Sequence, residues 1–459
     1  MNRTIAIVGA GYAGALTAVQ VLRQCTTPGV HVVLLEREPP FARGLAYRSW
    51  DESQLLNVPA GNMSALAQEA DHFAQYCRGV DPALHAGSFV SRRIYGDYLE
   101  DTLREAQGRA VATLEARRGD VRAVRPQAGG FDIELAGGTI LRADRVVLAF
   151  GHFPPGDPLP GMREALGAAY LPNPWDIAAL DRCDHGRPIV LVGSGHTAID
   201  VLLRLASRGD AQDILLLSRH GLLPHGHRPS PQAPHAMPLP PYVAQALAAP
   251  PSLRALVRAV RAEAQARLGA GGDWRDVLNE MRPHLPAVWQ RMDVPERRRF
   301  LERIVPFWDI HRHRLAPSVS LRLQRMLRAG QVRQLAARLV RWAPAKEGVR
   351  LELRERHTGT LRALEAGTVV NCTGPTYDLA RVRAPLVEQL LAAGLLRPDP
   401  LRLGMEIDER YRVRDRRGAS VPGLHYIGPM LKATFWEAIA VPELRGHAQR
   451  LAAQLLGTD

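Results

Sequence analysis

The chain has 459 residues, or about three domains at roughly 150 residues each, and its 46% hydrophobic and 23% charged content excludes disordered, collagen-like and disulfide-scaffold proteins. Its four cysteines contain no Cys-x-x-Cys pair, so a dithiol redox centre and a zinc site are also excluded. The net charge of +13 is carried almost entirely by arginine, since lysine occurs only at Lys346 and Lys432. Because the arginines are spread along the chain, we attribute the charge to composition bias and expect no nucleic-acid surface.

No targeting or membrane segment is apparent in the sequence. The first apolar run, from Ile5 to Val8, is too short for a signal peptide. No stretch approaches the ~20 apolar residues of a membrane-spanning helix. We therefore expect a cytoplasmic protein without membrane contact, and the sequence leaves the oligomeric state open.

The N-terminal segment has the order strand, glycine turn, helix, strand and acidic residue. The turn reads Gly9-Ala10-Gly11-Tyr12-Ala13-Gly14, and the second strand ends at Glu36-Arg37. The first glycine permits a tight turn, the second lets a pyrophosphate approach, and the third lets helix and strand pack closely. Glu36 is suited to accept hydrogen bonds from ribose hydroxyls. The segment predicts a first dinucleotide site.

A second glycine turn follows the strand that begins at Pro188. It reads Gly193-Ser194-Gly195-His196-Thr197, and the next strand ends at Ser218-Arg219-His220 instead of an acidic residue. An arginine at this place suits a 2′-phosphate better than a bare ribose, which favours NADPH over NADH. The alternative is that Arg219 is a solvated residue at a strand end.

The remaining segments predict further strands and one large insertion. Strands are predicted at 131–135, around a Gly137-Gly138 turn, at 143–151, at 351–353 and at 367–375. From about residue 221 to 335 the pattern changes to amphipathic helices, around 253–268 and 294–304, and this stretch is too long for a loop. The predicted fold is α/β, with two Rossmann-like dinucleotide-binding domains and a helical insertion in the second that covers the site.

These motifs together resemble the flavoproteins with two dinucleotide-binding domains, which carry FAD on the first domain and NAD(P)H on the second. The strand ends Phe150-Gly151 and Thr373-Gly374 resemble those of that superfamily. Gly428-Pro429 resembles its late strand end at the FAD ribityl chain, with proline in place of the usual aspartate. Four further segments, 55–60, 92–98, 308–314 and 435–445, resemble a bacterial group of FAD/NAD(P)-binding proteins. That group includes flavin-dependent monooxygenases that hydroxylate the amine of aspartate.

The resemblance implies cofactor contacts and domain limits. FAD is expected on residues 1–160 and 376–459, and NADPH on residues 161–375, which contain the insertion. Val121 is placed at the adenine only by its order along the chain. The expected cofactor-binding residues are Gly9, Ala10, Gly11, Tyr12, Ala13, Gly14, Glu36, Arg37, Val121, Gly151, Gly193, Ser194, Gly195, His196, Thr197, Arg219, Gly374, Gly428 and Trp436.

With both cofactors bound, hydride passes to the flavin, and the protein supplies position and electrostatics. The missing Cys-x-x-Cys excludes disulfide reduction. Two outcomes stay open: transfer of electrons to another acceptor, or reaction with O2 to a flavin C4a-hydroperoxide that hydroxylates a small polar or amine-bearing acid. The Phe-x-Gly-x-x-x-His-x-x-x-Trp signature is not matched, which argues against Baeyer–Villiger chemistry and leaves N-hydroxylation open. A third hypothesis, supported by Pro429, is a flavin-binding module without turnover.

An acidic substrate requires arginine side chains, which bind carboxylates with two hydrogen bonds. The densest candidates are His311, Arg312 and Arg314, followed by Arg92, and each has the alternative of a solvated or structural role. Asn57 is expected to position the flavin or nicotinamide, or otherwise to cap the turn before Pro59. The expected partners are therefore a small molecule and O2.

Three histidines, His225, His227 and His235, lie close together in the insertion. Their spacing fits no common zinc pattern, and no cysteine accompanies them. We therefore expect no metal site.

Overall fold

The computed structural model describes residues 3–48, 52–183, 186–207, 213–229, 239–249 and 252–457. Its strands are β1 Arg3–Val8, β2 Val30–Glu36, β3 Thr113–Arg118, β4 Val121–Gln127, β5 Gly130–Leu135, β6 Ile140–Ala143, β7 Arg145–Leu148, β8 Tyr170–Leu171, β9 Ile189–Val192, β10 Ile214–Ser218, β11 Val332–Ala345, β12 Gly348–Glu355, β13 Leu361–Ala366, β14 Thr368–Asn371, β15 Arg412–Arg414 and β16 Ser420–Tyr426. Its helices are α1 Tyr12–Gln24, α2 His72–Val80, α3 Arg92–Arg109, α4 Met162–Ala165, α5 Ile177–Leu180, α6 His196–Ala206, α7 Pro241–Ala248, α8 Leu253–Gly269, α9 Trp274–Met281, α10 Leu285–Arg291, α11 Val294–Arg299, α12 Val305–Arg312, α13 Pro317–Arg328, α14 Pro385–Ala392 and α15 Val441–Leu456.

The first sheet combines strands from both ends of the chain, in the order β15-β16-β7-β1-β2-β3. β1 pairs in parallel with β2 and β7, and β16 pairs in parallel with β7. The four apolar residues from Ile5 to Val8 are all buried, as expected for a parallel strand covered on both faces. Helices α3 and α15 pack against α1. The first glycine turn, between β1 and α1, lies at the carboxyl edge of this sheet.

The second sheet has the order β13-β12-β11-β10-β9-β14-β8. β9, β10, β14 and the start of β11 are parallel, and β11 then pairs antiparallel with β12. Two parallel sheets, each with a strand, glycine turn and helix, confirm the predicted α/β fold with two Rossmann-like units. Strands β4, β5 and β6 form a small antiparallel sheet, and Gly137 and Gly138 make the predicted turn with positive φ.

The predicted helical insertion is confirmed, since α7 to α13 all lie between β10 and β11. The helix predicted at 253–268 is α8. The helix predicted at 294–304 is also helical in the structure, as α11 followed by a π-helical turn over residues 300–304. Pro306 in α12 explains the interruption, because proline lacks an N–H and clashes with the carbonyl four residues earlier. No helix in the described ranges is long and apolar enough to cross a bilayer.

Candidate functional site

The first glycine turn is fixed by backbone contacts. Gly9 has a φ of +105°, and a Cβ there would lie 2.7 Å from the carbonyl oxygen of Ala149. A Cβ at Gly14 would lie 1.9 Å from the carbonyl oxygen of Gly9. Helix α1 begins after Gly11 with no side-chain cap, so its first N–H groups are open to a phosphate. The turn has the geometry of an anion-binding helix start.

The other residues predicted for this site occupy the following positions. Glu36 Oε2 accepts a hydrogen bond from the Ala10 N–H at 2.9 Å, so one carboxylate oxygen braces the turn. Tyr12 and Ala13 begin α1, Arg37 is exposed, and Val121 is buried at the start of β4. The sequence analysis missed Gly44, whose Cα lies 3.3 Å from the position of a Cβ on Gly11. Gly11 is therefore required by a chain crossing as well as by any ligand.

The second glycine turn repeats the construction. Gly193 has a φ of +122°, and a Cβ there would lie 2.1 Å from the carbonyl oxygen of Cys372. A Cβ at Gly195 would meet nothing within 4 Å, and α6 begins there without a side-chain cap. Gly195 and Thr197 thus border open space at a helix N-terminus, where a phosphate fits.

The side chains of two predicted cofactor-binding residues, Ser194 and His196, make hydrogen bonds to the protein. Ser194 Oγ donates to the carbonyl of Leu222 at 2.6 Å, and His196 Nε2 lies 2.9 Å from the carbonyl oxygen of His313. Burial lowers the pKa of His196, so the neutral ring donates this bond. Both side chains tie the turn to the insertion.

Arg219 is exposed at the end of β10, as the sequence predicts. The sequence analysis missed Arg356, which donates from Nη1 to the Arg219 carbonyl at 3.4 Å. Burial lowers the pKa of His220, and the neighbouring Arg356 and Arg219 lower it further. The strand end thus carries two guanidinium groups, those of Arg219 and Arg356, beside the His220 ring.

Two of the predicted strand-end glycines, Gly151 and Gly374, face open space. A Cβ at Gly151 or Gly374 would meet no atom within 4 Å. Gly428, with a φ of +144°, is packed on the Tyr426 hydroxyl, which accepts from the Met430 N–H at 3.0 Å. Pro429 begins the short 3-10 helix Pro429–Ala433.

The cluster predicted at 311–314 sends its side chains in different directions. His311 Nδ1 bonds the carbonyl of Phe307, and its ring lies 4.6 Å from His225 and 4.9 Å from Trp274. Arg312 is buried, with Nε 3.1 Å from Glu437 Oε2. His311 and Arg312, which are consecutive on α12, therefore make separate contacts, because consecutive helical residues point about 100° apart.

Glu437 contacts both Arg312 and Trp308. Trp308 Nε1 donates a hydrogen bond to Glu437 Oε1 at 2.9 Å. Burial acts to raise the pKa of Glu437, but Arg312, His313 and the Trp308 N–H outweigh it and lower that pKa to about 2. Glu437 also has a φ of +75°, an uncommon conformation for a residue with a side chain. Strain of this kind persists where the surroundings hold it, often at functional sites.

Arg314 forms the centre of a buried cationic group. Its Nη2 donates to Asn279 Oδ1 at 2.7 Å, and its Nε has no hydrogen-bond partner among the described residues. Burial and then the nearby Arg312 and Arg275 lower the pKa of Arg314 to about 10. A buried, incompletely paired guanidinium is costly unless an anion binds it.

This group lies beside Asn57. His227 Nε2 donates to the backbone carbonyl of Asn57 at 3.0 Å, and burial followed by Arg314 lowers the pKa of His227 to about 3. The Asn57 carbonyl is thus occupied.

No three His, Cys, Asp or Glu side chains in the described part converge on a metal position, and His235 lies outside that part.

Arg92 forms a contact between the two Rossmann-like units. Its Nη2 lies 2.8 Å from Asp200 Oδ2 on α6, and its Nε donates to the Leu55 carbonyl at 3.3 Å. Arg92 therefore joins α3 to α6, which supports the structural alternative over a substrate contact.

The sequence analysis missed Lys432, Asp309 and Tyr377. Lys432 Nζ lies 4.7 Å from the ring centroids of both Tyr377 and Trp436. Burial lowers the pKa of Lys432, and burial raises the pKa of Asp309 to about 6 although Lys432 opposes that shift. The feature of the sequence that could have indicated Lys432 is the rarity of lysine in this arginine-rich chain.

Comparisons with known proteins agree with this geometry. Residues 6–153 match a family model described as FAD-NAD(P)-binding. Over 159 residues the chain is 39% identical to an L-aspartate N-monooxygenase (nitrosuccinate-forming) of Streptomyces cremeus, a match that covers 32% of this chain and 22% of that protein. The match thus spans about a fifth of the length of the curated relative.

Two solved structures share the fold over almost the whole chain. The L-lysine 6-monooxygenase of Pseudomonas syringae is 18% identical, with a TM-score of 0.67 and 99% of each chain covered. The reduced ornithine hydroxylase of Pseudomonas aeruginosa is 14% identical, with a TM-score of 0.64 and coverage of 100% of this chain and 99% of that one.

Proposed function

Because the chain has the fold of the flavoproteins with two dinucleotide-binding domains, we propose that it is an FAD- and NADPH-dependent monooxygenase. In this proposal residues 1–160 and 376–459 hold FAD, and residues 161–375, with the insertion at about 221–335, hold NADPH. The substrate is a small polar acid that carries an amine, and the nitrogen is hydroxylated. The observation that carries the oxidoreductase proposal is the pair of glycine turns at uncapped helix starts.

The residues present fit both cofactors. At the first turn, Gly9, Gly14 and Glu36 give the tight turn and acidic strand end expected for FAD. At the second, the open space at Gly195 accepts a pyrophosphate, and Arg219 with Arg356 supplies positive charge for a 2′-phosphate. This cationic strand end supports NADPH over NADH.

The reaction balances as amine, O2, NADPH and H⁺ giving hydroxylamine, NADP⁺ and water. When bound, the cofactors supply hydride transfer and oxygen activation. The chain's own residues position the substrate and exclude water. The buried guanidinium of Arg314, beside Asn57, supports an acidic substrate, because it has hydrogen-bonding capacity that a carboxylate would fill.

The proposal is tested by anaerobic titration of the purified flavoprotein with NADPH and, separately, NADH, followed by air and a panel of amino acids. We expect NADPH to bleach the flavin in preference to NADH, and one amino acid to gain one oxygen atom on nitrogen. Hydrogen peroxide equal to the NADPH consumed, without product for any amine, would instead identify an NAD(P)H oxidase or reductase. Bound flavin that neither nucleotide bleaches would identify a binding module without turnover.

The role of Arg314 is tested with Arg314→Gln. We expect the KM for the acid to rise by about tenfold or more, since a charge-assisted hydrogen bond is worth about 1.5–3 kcal/mol. The matched control is Arg325→Gln, on the exposed face of α13. An unchanged KM in Arg314→Gln would contradict the acid-binding role.

A further inference from the structure

The helical insertion forms a half-open cavity that is lined by no residue of the two glycine turns. Its volume is about 620 Å³, within the range of roughly 300–1,000 Å³ of small-molecule sites. The wall is almost wholly apolar and is formed by α8, α9, α10, the π-helical turn and α12, with Trp436 from the C-terminal segment. We propose that this cavity binds a long hydrocarbon chain that carries a carboxylate head.

The first support is the packing of α8. The apolar residues of this helix repeat with helical spacing and face the cavity, and they are Leu253, Leu256, Val257, Val260, Ala264 and Leu268. Only Leu253 and Leu256 are buried, and Leu268 is 53% exposed. Protein interiors are packed as densely as organic crystals, and the cost of a void grows with its volume. An apolar ligand would complete the packing of this helix.

The second support is the inner wall. Trp289 and Trp436 have ring centroids 4.7 Å apart, and the Phe300 ring stands perpendicular to Trp436 at 5.1 Å. Trp289 Nε1 donates to the carbonyl of Ala433 at 3.0 Å, so its polar atom is satisfied by the protein. These rings offer a rigid, mainly apolar surface, in which Trp436 Nε1 is the one buried ring donor without a hydrogen-bond partner among the described residues.

The third support is the charge at the mouth. Arg261 lines the cavity, is exposed, and has no ion-pair partner among the described residues. Leu268 and Phe307, which is 44% exposed, line the same cavity, so the apolar wall continues to the surface beside Arg261. Apolar depth with an arginine at the opening matches an amphiphile with an anionic head.

No residue of either glycine turn lines the described cavity. On α12, Phe307, Trp308 and His311 line the cavity, whereas Arg312 turns to Glu437. The proposal therefore does not rest on the oxidoreductase function, and it is tested without NADPH.

The probe is dodecanoate below its micelle concentration, measured by calorimetry and by tryptophan emission on the flavin-loaded protein. Trp274, Trp289, Trp308 and Trp436 line the cavity, so four of the seven tryptophans report on its filling. We expect saturable binding with a change in emission, weaker binding of dodecanol, and none of butanoate. Absence of saturable dodecanoate binding would overturn the proposal.

Substitutions in α8 test whether dodecanoate binds in the cavity. Ala264→Phe fills the cavity from the half-buried face of α8 and should weaken dodecanoate binding about tenfold or more. Arg261→Gln should weaken dodecanoate about tenfold and leave dodecanol unchanged, whereas Arg258→Gln, exposed on the same helix but outside the cavity, should change neither. Leu268→Glu, at an exposed position that tolerates substitution, should also weaken dodecanoate by repulsion. Unchanged binding in Ala264→Phe and Leu268→Glu would place the ligand elsewhere.

Discussion

Several structural features coincide at Glu437. It is buried, has a positive φ, and contacts Trp308 and Arg312 from the insertion. It follows Trp436, which borders both the apolar cavity and Lys432. A single carboxylate thus holds α12 against the C-terminal segment.

We expect Glu437→Gln to destabilise the protein by about 3 kcal/mol or more, because it leaves Arg312 as a buried charge without its partner. Urea unfolding of the flavin-loaded protein measures this. The control is Glu302→Gln, at an exposed position of the π-helical turn. Equal stability of the two variants would mean that Arg312 is compensated by other groups.

Asp309 predicts a pH dependence. Folding raises its pKa to about 6, from about 4 in an unfolded chain, so the folded state binds the proton more tightly. The contribution of Asp309 to stability is therefore fully present below about pH 4 and is lost as the pH rises through about 6. Asp309→Asn stays neutral throughout. Its melting temperature relative to the parent should rise between these pH values, and a constant difference would refute the shift.

At the scale of elements, two glycines of the second glycine turn predict different outcomes for the same substitution. Gly193→Ala forces a Cβ onto the Cys372 carbonyl at a positive φ, so we expect a loss of about 2 kcal/mol or more. Gly195→Ala meets no protein atom and should leave the melting temperature unchanged. It should still weaken NADPH binding about tenfold, or about 1.4 kcal/mol, because its methyl group occupies the phosphate approach. Unaltered NADPH affinity in Gly195→Ala would contradict the placement of the phosphates.

The elements also show which features a sequence can predict. The glycine turns were predictable because their requirements are local: a tight turn, a helix start and a strand on each side. The cavity was not, because the apolar stripe of α8 has the same spacing whether it packs on protein or on a ligand. Lys432 was missed because Tyr377 and Trp436, the rings around it, come from separate segments. For residues 311–314, the sequence did not show that Arg312 pairs with Glu437, because Glu437 comes from a distant segment.

In the whole molecule, the ion pair of Arg92 and Asp200 connects the two sheets' helices α3 and α6. Both side chains are partly buried, and the two atoms are 2.8 Å apart. We expect a double-mutant cycle of Arg92→Gln and Asp200→Asn to give a coupling energy of about 1 kcal/mol in urea unfolding. A coupling near zero would mean that the bond to the Leu55 carbonyl alone holds Arg92.

The burial of Lys432 has a consequence for chemical labelling. Lys346 is exposed in the turn between β11 and β12, whereas Lys432 is half-buried under Tyr377 and Trp436. The chain has no other lysine side chain. Among lysine side chains, amine-acylating reagents therefore meet one that is exposed, and Lys346 can carry a dye or a surface. The acylation rate of Lys432 depends on access to its amine, so a change in that rate reports a ligand bound beside it.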